Sequence, residues 1–383
     1  MKKILLVAVS AVLLAAGCQK TEIVNPVGEP TMNFSAKMGK LTKAGTTSSD
    51  GVAKLQDQEF KVWAFTTWTD PINGIEPGMV HKGMENLDVY YNEARGWHTE
   101  QEYYWPGKGL NLNFFALSSN EKELQVNFNK TVDDTTINTA GDSTATRVMN
   151  VVSYTVDHTN PIDDLMVADF VHQNQSKKDV TLKFRHALSK VEFLFKTSQQ
   201  DSLLVVNTNT EGVSDTTKTP NPEYREVKID SIKVAGINTT AALTVTETVS
   251  DDEAAASYVC EWSGLATEQS FVTKTTDTAG FVIDPIPASM VEPAAKTYAT
   301  WLVLPQPIAK TDEAPNADNL TVEIFYWMGA NKQTTSFEIS TSSLKTWEPN
   351  QYIRYIVDIT PALIKFTPEV EDWELADPVN NGN

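Results

Sequence analysis

Histidine and paired acidic residues are the side chains from which a catalytic or metal centre is most often built. None of the five histidines of this chain lies in an H-E-x-x-H pair or at another spacing typical of zinc ligands. Acidic pairs such as Asp163-Asp164 lack the D-x-D-x-D-G spacing of a calcium loop. The sequence also has no G-x-S-x-G, phosphate-loop or dinucleotide-binding motif. We therefore predict that the protein is not an enzyme and has neither a bound metal nor a cofactor.

Two residues with reactive side chains lie within predicted strands. His186 falls on the apolar face of the run 180–188, which favours a hydrogen-bonded structural histidine over a catalytic one. Cys260 lies in the strand-like run 258–262, where a thiol usually behaves as a small buried hydrophobic group. Neither residue is predicted to carry chemistry.

Cys18 is the residue for which the sequence predicts a covalent modification. Two lysines precede the short apolar run Ile4–Ala16, and the small residues Ala15-Ala16-Gly17 lead directly to the cysteine. The run is too short to span a membrane and reads as a signal peptide. It resembles a bacterial lipoprotein signal, in which residues 1–17 are removed and Cys18 is acylated, with palmitate among the attached chains. A plain secretory signal is the alternative. Residues 18–31 are then a polar tether.

Composition indicates a folded, acidic protein. The chain has 383 residues, of which 41% are hydrophobic and 21% charged, which is enough for a core and suggests two domains. The formal net charge is −19, and removal of Lys2 and Lys3 with the signal leaves −21. A body of this charge repels nucleic acid and anionic membrane surfaces, so we exclude nucleic acid as a partner.

The first strand predicted after the tether has a regular alternation. In residues 32–38 the apolar side chains are those of Met32, Phe34, Ala36 and Met38, with polar residues between them. This period of two predicts one half-buried strand. The following run, 39–51, is rich in Gly, Ser, Thr and Lys and predicts a loop.

The remainder of the chain is dominated by strand patterns. Runs rich in β-forming residues are 59–65, 110–117, 148–156, 180–188, 191–195, 299–304, 320–328 and 351–359. Polar, turn-rich runs at 129–147 and 197–223 separate some of them. The positions of large side chains change parity near Ser189-Lys190, which predicts a bulge or bend. Together these patterns predict an all-β protein built from β-sandwiches.

Several segments together resemble a known family. The segment F-R-H-A-L-S-K-V at 184–191 is similar to the signature of the fimbrillin family, the type V pilins. Further segments match the family in the same order, at 60–65, 103–107, 112–116, 163–168, 344–359 and 364–373. The resemblance implies two stacked β-sandwich domains of transthyretin-like topology. We place the domain boundary in the polar run before residue 180, which gives domains at 32–174 and 175–383.

The family resemblance implies a location and an assembly route. It implies export as a lipoprotein to the outer membrane, assembly into cell-surface fimbriae with other fimbrial subunits, and roles in adhesion and biofilm formation. A host or bacterial surface receptor is a further possible partner. Subunits of the family join by donor-strand exchange, in which a provisional N-terminal strand is cut away and a neighbour's strand replaces it.

The sequence contains residues for each step of that route. Residues 32–38 would be the groove-filling strand, and loop 39–51 the cleavage site, at Lys43-Ala44. Ile364, Phe366 and Val370 alternate within a candidate donor strand at 363–373. The loop has no arginine, whereas fimbrillins cut by an arginine-specific protease carry one there. Either the protease accepts lysine, or the subunit stays uncut and lipidated, as anchor subunits do.

Two other function classes remain open from the sequence. A surface lipoprotein that binds glycans without polymerising would need exposed aromatic side chains. The chain has nine tryptophans, but Trp63 and Trp327 lie in predicted strands and are expected in the core. A glycoside hydrolase would need two carboxylates at a defined separation, which the sequence cannot pair.

Overall fold

The structure is a computed structural model that describes residues 30–38 and 59–373. Within the second range it omits 68, 77, 82, 120–123, 129–135, 138–142, 162, 178, 209, 211, 213, 251–256, 277–279, 313 and 316. Cys18, Lys43 and Ala44 lie outside the described residues, as does loop 39–51. In the part described, the chain forms strands and turns and no helix, so no helix there could cross a membrane. The all-β prediction is confirmed.

Strands follow one another along the whole described chain. Their bounds are β1 Asn33–Met38, β2 Phe60–Thr66, β3 Leu87–Asn92, β4 Gly96–His98, β5 Leu112–Ser118, β6 Val126–Phe128, β7 Thr136–Ile137, β8 Ser143–Thr155, β9 Met166–Ala168, β10 Val171–Gln173, β11 Asp179–His186, β12 Ser189–Lys196, β13 Ser202–Thr208, β14 Ser214–Pro220, β15 Val227–Ser250, β16 Ser257–Lys274, β17 Phe281–Val282, β18 Lys296–Val303, β19 Gln306–Pro307, β20 Thr321–Met328, β21 Asn331–Glu338, β22 Thr346–Trp347, β23 Gln351–Ile359 and β24 Ile364–Asp372.

Three sheets form the body of the molecule. The first sheet has the order β1-β11-β9-β5-β2-β3-β4, with β10 added to β5. The long-strand sheet has the order β21-β20-β15-β8-β6, with β16 and β17 on β15 and β7 on β8. The C-terminal sheet has the order β18-β12-β23-β24. Two pairs of strands, β13–β14 and β19–β22, stand apart from these sheets.

Two apolar cores hold the sheets together. Trp63 and Phe115 of the first sheet join a large core that also takes side chains from the long-strand and C-terminal sheets. Their neighbours Ala64 and Phe114 point the opposite way and join a second, smaller core. Because successive side chains of a strand alternate between faces, strands β2 and β5 are buried on both sides. This explains why their sequences are continuous apolar runs rather than alternating ones.

The change of parity near residue 189 has a different cause from the predicted bulge. Strand β11 ends at His186 in the first sheet, and β12 begins at Ser189 in the C-terminal sheet. The bend lies at Ala187-Leu188, before the predicted position, and both of these residues are fully buried. Of the predicted bulge or bend, the structure has the bend, which lies just before Ser189-Lys190 because the chain changes sheets at Ala187-Leu188 and each strand buries side chains against its own neighbours.

Two predicted loop regions contain strands. Segment 197–223 includes the hairpin β13–β14, and segment 129–147 includes β7 and the first residues of β8. Backbone pairing forms these strands although much of their sequence is polar threonine and serine. Strand pairing also crosses the proposed domain boundary: β8 pairs with β15, and β11 pairs with β1 and β9. The division into 32–174 and 175–383 stays a prediction.

Candidate functional site

The N-terminal strand β1 lies at an edge of the first sheet. It pairs parallel with β11, from Asn33 opposite Asp179 to Met38 opposite Phe184. Just before the strand, the Met32 backbone N–H donates to the carbonyl of Tyr103 at 2.7 Å. These contacts tie the start of the chain to segments that lie far away in sequence. In the described residues, β11 is the one strand paired along β1.

The apolar side chains of β1 complete the smaller core. Met32 and Phe34 are each 6% exposed, and Ala36 packs half-buried at the margin. The Phe34 ring meets Phe114 edge-on with centroids 6.3 Å apart, and Trp105 also meets Phe114 edge-on, at 5.9 Å. The structure thus brings the first three predicted groove-filling residues to one core. For the fourth, Met38, it gives the backbone pairing alone.

The outward side of β1 is polar and partly open. Asn33 and Lys37 are exposed, and the Ser35 hydroxyl donates to the hydroxyl of Thr181 at 2.9 Å. A cleft of about 220 Å³ runs beside the start of the strand, lined by residues 31–34 on one side and by Arg95 and residues 97–102 on the other. An edge strand of this kind can be replaced by another strand without breaking the interior of the sheet.

The candidate donor strand is also an edge strand. β24 pairs antiparallel with β23 along its length, from Ile364 opposite Ile359 to Asp372 opposite Gln351. Phe366 is half-buried and stacks on Phe337 and Tyr355, with centroids 5.3 and 5.1 Å away. Ile364 is also half-buried, whereas Val370 is 45% exposed. In this structure β24 closes its own sheet, and only part of its predicted donor face is covered.

A buried polar pair lies at the far end of β24. His186, at the end of β11, is 1% exposed, and its Nδ1 lies 2.6 Å from Oδ2 of the fully buried Asp164. The imidazole stacks on the indole of Trp373, and the Trp373 backbone N–H donates to the carbonyl of Asn350 at 2.7 Å. His186 is thus buried and close to an acidic side chain, but neither ring nitrogen makes a hydrogen bond of good geometry, and its structural role stays a prediction. The sequence contained all three side chains in motifs, but nothing in it indicated that they meet.

A second group of charged residues lies beside β10 and β11. Arg147 contacts Glu247 at 3.3 Å, and Arg185 contacts Asp169 at 2.8 Å. Burial raises the pKa of Glu247 to about 7, against the opposing effect of the Arg147 charge. A cleft of about 450 Å³ opens next to this group, with His172 among its lining residues. Sequence analysis did not single out this cluster, because its members come from four separate strands and loops.

Three single-residue predictions can be compared with the structure. Burial raises the pKa of the Cys260 thiol to about 11, so this side chain stays protonated and behaves as a small apolar group. Trp63 is 5% exposed, as expected of a core residue. The prediction for Trp327 was wrong: it is 38% exposed on β20, with the Lys332 ammonium 5.8 Å from its ring. Buried and less buried side chains alternate along β20, and Trp327 falls on the face that meets solvent. Among the described residues, no group of three or more His, Cys, Asp or Glu is placed to hold a metal ion.

The structure is that of an all-β protein with an edge strand, β1 or β24, near each end of its described residues. A family model described as Fimbrillin-like matches residues 42–373, and the chain belongs to this family. No curated protein matches the sequence.

Among the solved structures similar to this chain are three from Bacteroides species. A fimbrial protein from Bacteroides vulgatus ATCC 8482 shares 14% identity with a TM-score of 0.48, covering 90% of this chain and 99% of that one. A protein of proposed cell-adhesion role from Bacteroides uniformis ATCC 8492 shares 14% identity with a TM-score of 0.45, covering 91% and 98% of the two chains. One of the same proposed role from Bacteroides ovatus ATCC 8483 shares 13% identity with a TM-score of 0.44, covering 91% and 99%.

Proposed function

We propose that this chain is a structural or tip subunit of cell-surface fimbriae, exported as an outer-membrane lipoprotein and assembled by donor-strand exchange. The fimbrillin-like family provides the class of protein. The observation that carries the proposal is β1, an N-terminal edge strand that buries Phe34, together with Met32 just before the strand, in a core formed by the rest of the first sheet. Such fimbriae would support adhesion and biofilm formation.

The exchange needs a strand that can leave and a strand that can replace it. β1 is joined to the rest of the protein through the segment that contains Lys43-Ala44, so a cut there would free it as a separate peptide. β24 is an edge strand with an alternating apolar face, and its removal from β23 would leave the three other strands of its sheet paired. In this proposal β24 closes its own subunit before assembly and enters the groove of a neighbour afterwards.

Val370 offers a test that separates the donor role from the closing role. Its side chain is 45% exposed in the subunit, so Val370→Asp should change the free energy of unfolding by no more than about 0.5 kcal/mol. In a neighbour's groove the carboxylate introduced by this substitution would be buried without a partner, so we expect filaments to be lost. The matched control is Val272→Asp, a valine 52% exposed on β16.

The filaments of cells that display the chain provide both readouts. We expect V370D to fold with the parental thermal midpoint yet to be missing from filaments, while V272D enters them. Mass measurement of parental subunits from filaments should place their N-terminus after residue 43. Normal polymerisation of V370D would contradict the donor role, and an N-terminus at lipidated Cys18 would identify an uncut anchor subunit.

One observation favours a second candidate, a glycan-binding surface lipoprotein that does not polymerise. Trp327 presents part of its ring to solvent beside Lys332, an arrangement that suits stacking against the apolar face of a sugar. The discriminating experiment is binding to a panel of immobilised glycans by the parent and by Trp327→Ala. Loss of binding in W327A, together with absence of filaments from the parent, would favour this candidate over the fimbrial one.

A further inference from the structure

The hairpin β13–β14 exposes an unusual run of apolar side chains. Leu203, Leu204, Val205 and Val206 are consecutive on β13 and are 39, 52, 40 and 61% exposed. Because side chains alternate between the two faces along a strand, these residues make both faces of the hairpin apolar along β13. The opposite strand, β14, carries mostly Thr, Ser, Asp and Lys. Monomeric soluble proteins rarely expose contiguous apolar surface of this kind unless it binds something.

The strand also lacks the usual protection of a sheet edge. β13 pairs with β14 on one side, and no other strand that the structure describes pairs with it. Natural edge strands are commonly interrupted by charged residues, proline or a bulge, which prevent pairing with other chains. Residues 202–208 contain no charge and no proline, and their register with β14 is regular. β13 is therefore open to contact with another molecule.

More exposed apolar residues lie at the same end of the molecule. The Gln200 side chain contacts Met290, and Lys196 pairs with Glu292 at 2.6 Å, which places residues 290–292 beside the base of the hairpin. Met290 and Val291 are 66 and 68% exposed. Together with Leu363 and the four apolar residues of β13, they form a surface that we call the distal patch. Its members are Leu203, Leu204, Val205, Val206, Met290, Val291 and Leu363.

The distal patch adjoins the turn from which β24 starts. The Thr197 hydroxyl donates to the carbonyl of Ile359, the last residue of β23, at 2.6 Å. The turn that follows is closed by the Thr360 backbone N–H, which donates to the carbonyl of Leu363 at 3.0 Å. Leu363 itself is 56% exposed. The hairpin, residues 290–292 and the β23–β24 turn thus share one end of the C-terminal sheet.

This position determines which molecule would meet the patch. If β24 leaves β23, it stays attached to the body at residues 360–363. It would then project outward from the end of the molecule that carries the distal patch. The subunit that receives it must then lie against this end. The body is strongly acidic, with a net charge of −19 over the whole chain, so copies repel each other over most of their surface. The apolar part of the patch carries no charge and allows close approach.

We propose that the distal patch is the surface on which a second copy of this chain docks, body against body, beside the exchanged strand. The inference rests on the proposed fimbrial function and adds to it a contact that does not involve the donor strand. Burial of Leu204 and Val206 against the neighbour would hold the subunits while β24 replaces the neighbour's β1. It would also fix the angle between successive subunits.

The test compares variants of the full chain displayed on cells. The double variant Leu204→Ser and Val206→Ser removes the two most exposed apolar side chains of β13 without adding charge. The matched control is Val259→Ser and Val272→Ser, two valines of β16 that are 44 and 52% exposed. V370D reports separately on the donor strand. Thermal unfolding of the purified proteins checks that each variant is folded, and the readout is the amount of polymer recovered from the cell surface.

We expect L204S/V206S to lower polymer recovery at least tenfold, with the control double variant at the parental level. Parental recovery from L204S/V206S together with loss in V370D would overturn the docking surface and leave the proposed function standing. Parental recovery from both would overturn both. Loss in L204S/V206S with normal recovery from V370D would support docking and contradict strand exchange. If L204S/V206S polymerises normally but loses binding to phosphatidylcholine vesicles, the patch is a lipid-binding surface and the proposal is wrong.

Discussion

The imidazole of His186 lies parallel to the indole of Trp373, with the ring centroids 3.5 Å apart. His186 ends β11 of the first sheet, and Trp373 immediately follows β24 of the C-terminal sheet. On its own side, His186 contacts Asp164 at 2.6 Å in surroundings that exclude water. The stack therefore ties the end of the last strand to the first sheet. For β24 to leave its subunit, this contact must break. The contact lies at the end of β24 opposite to residues 360–363, where the strand stays attached.

Loss of the histidine should destabilise the folded subunit. His186→Ala would leave the fully buried Asp164 side chain without its neighbour, and a buried polar group left unpaired typically costs about 1–3 kcal/mol. Urea unfolding measures the change in the free energy of unfolding. The double variant D164A/H186A should lose less than the sum of the two single variants, because the two residues interact. Additive losses would mean that the pair contributes no coupling energy.

Removal of the Phe34 ring should weaken the attachment of β1. Phe34 is 6% exposed, and Phe→Ala substitutions at buried sites typically cost about 3–5 kcal/mol of unfolding free energy. Lys37→Ala on the exposed side of the same strand is the control, with an expected change within about 0.5 kcal/mol. In the fimbrial proposal, F34A should also speed exchange of β1 for an added peptide of residues 363–373. Equal stability of F34A and the parent would show that the strand is not held by its apolar face.

Glu247 should make stability depend on pH in a specific direction. Its pKa is about 7 in the folded protein and 4.5 by its ordinary value, because burial disfavours the charged carboxylate. The folded state therefore holds a proton that the unfolded state releases between these values, and stability falls as pH rises through that window. Above pH 7 the free energy of unfolding is lowered by about 3 kcal/mol, because each unit of pKa shift corresponds to about 1.4 kcal/mol.

Glu247→Gln removes this titration. We expect the free energy of unfolding of E247Q, relative to the parent, to increase by about 3 kcal/mol between pH 4.5 and pH 8. Denaturant unfolding of the parent and of E247Q at several pH values gives both curves. A flat difference for E247Q would mean that solvent reaches this carboxylate in the folded protein.

Cys18 should carry the lipid anchor. Cys18→Ser removes the thiol that would be acylated, so we expect loss of labelling by a palmitate analogue and release of the protein from the membrane fraction. Ala16→Ser, two positions before Cys18, should leave labelling intact, because a small residue is retained. Unchanged labelling of C18S would contradict lipidation at this residue.

The sequence indicated the local structure of several elements well. The alternation in residues 32–38 predicted one half-buried strand, and Met32 and Phe34 are buried as that pattern requires. Run 351–359 coincides with β23. These predictions succeed because alternation and β-propensity depend on residues close together in the chain. Hairpin β13–β14 was missed since its second strand is polar, and a polar segment that pairs through its backbone has no apolar pattern to reveal it.

What the sequence alone determined is the all-β class, the fimbrillin resemblance and the faces of the clearest strands. The tertiary structure decided which strands pair: β1 with β11, β24 with β23, and the chain's change of sheet at Ala187-Leu188. It also decided that His186, Asp164 and Trp373 meet, and that Leu204 and Val206 face solvent. The physical reason is that every strand edge offers the same backbone donors and acceptors. The choice of partner therefore depends on how all the apolar faces pack at once, which a local pattern does not record.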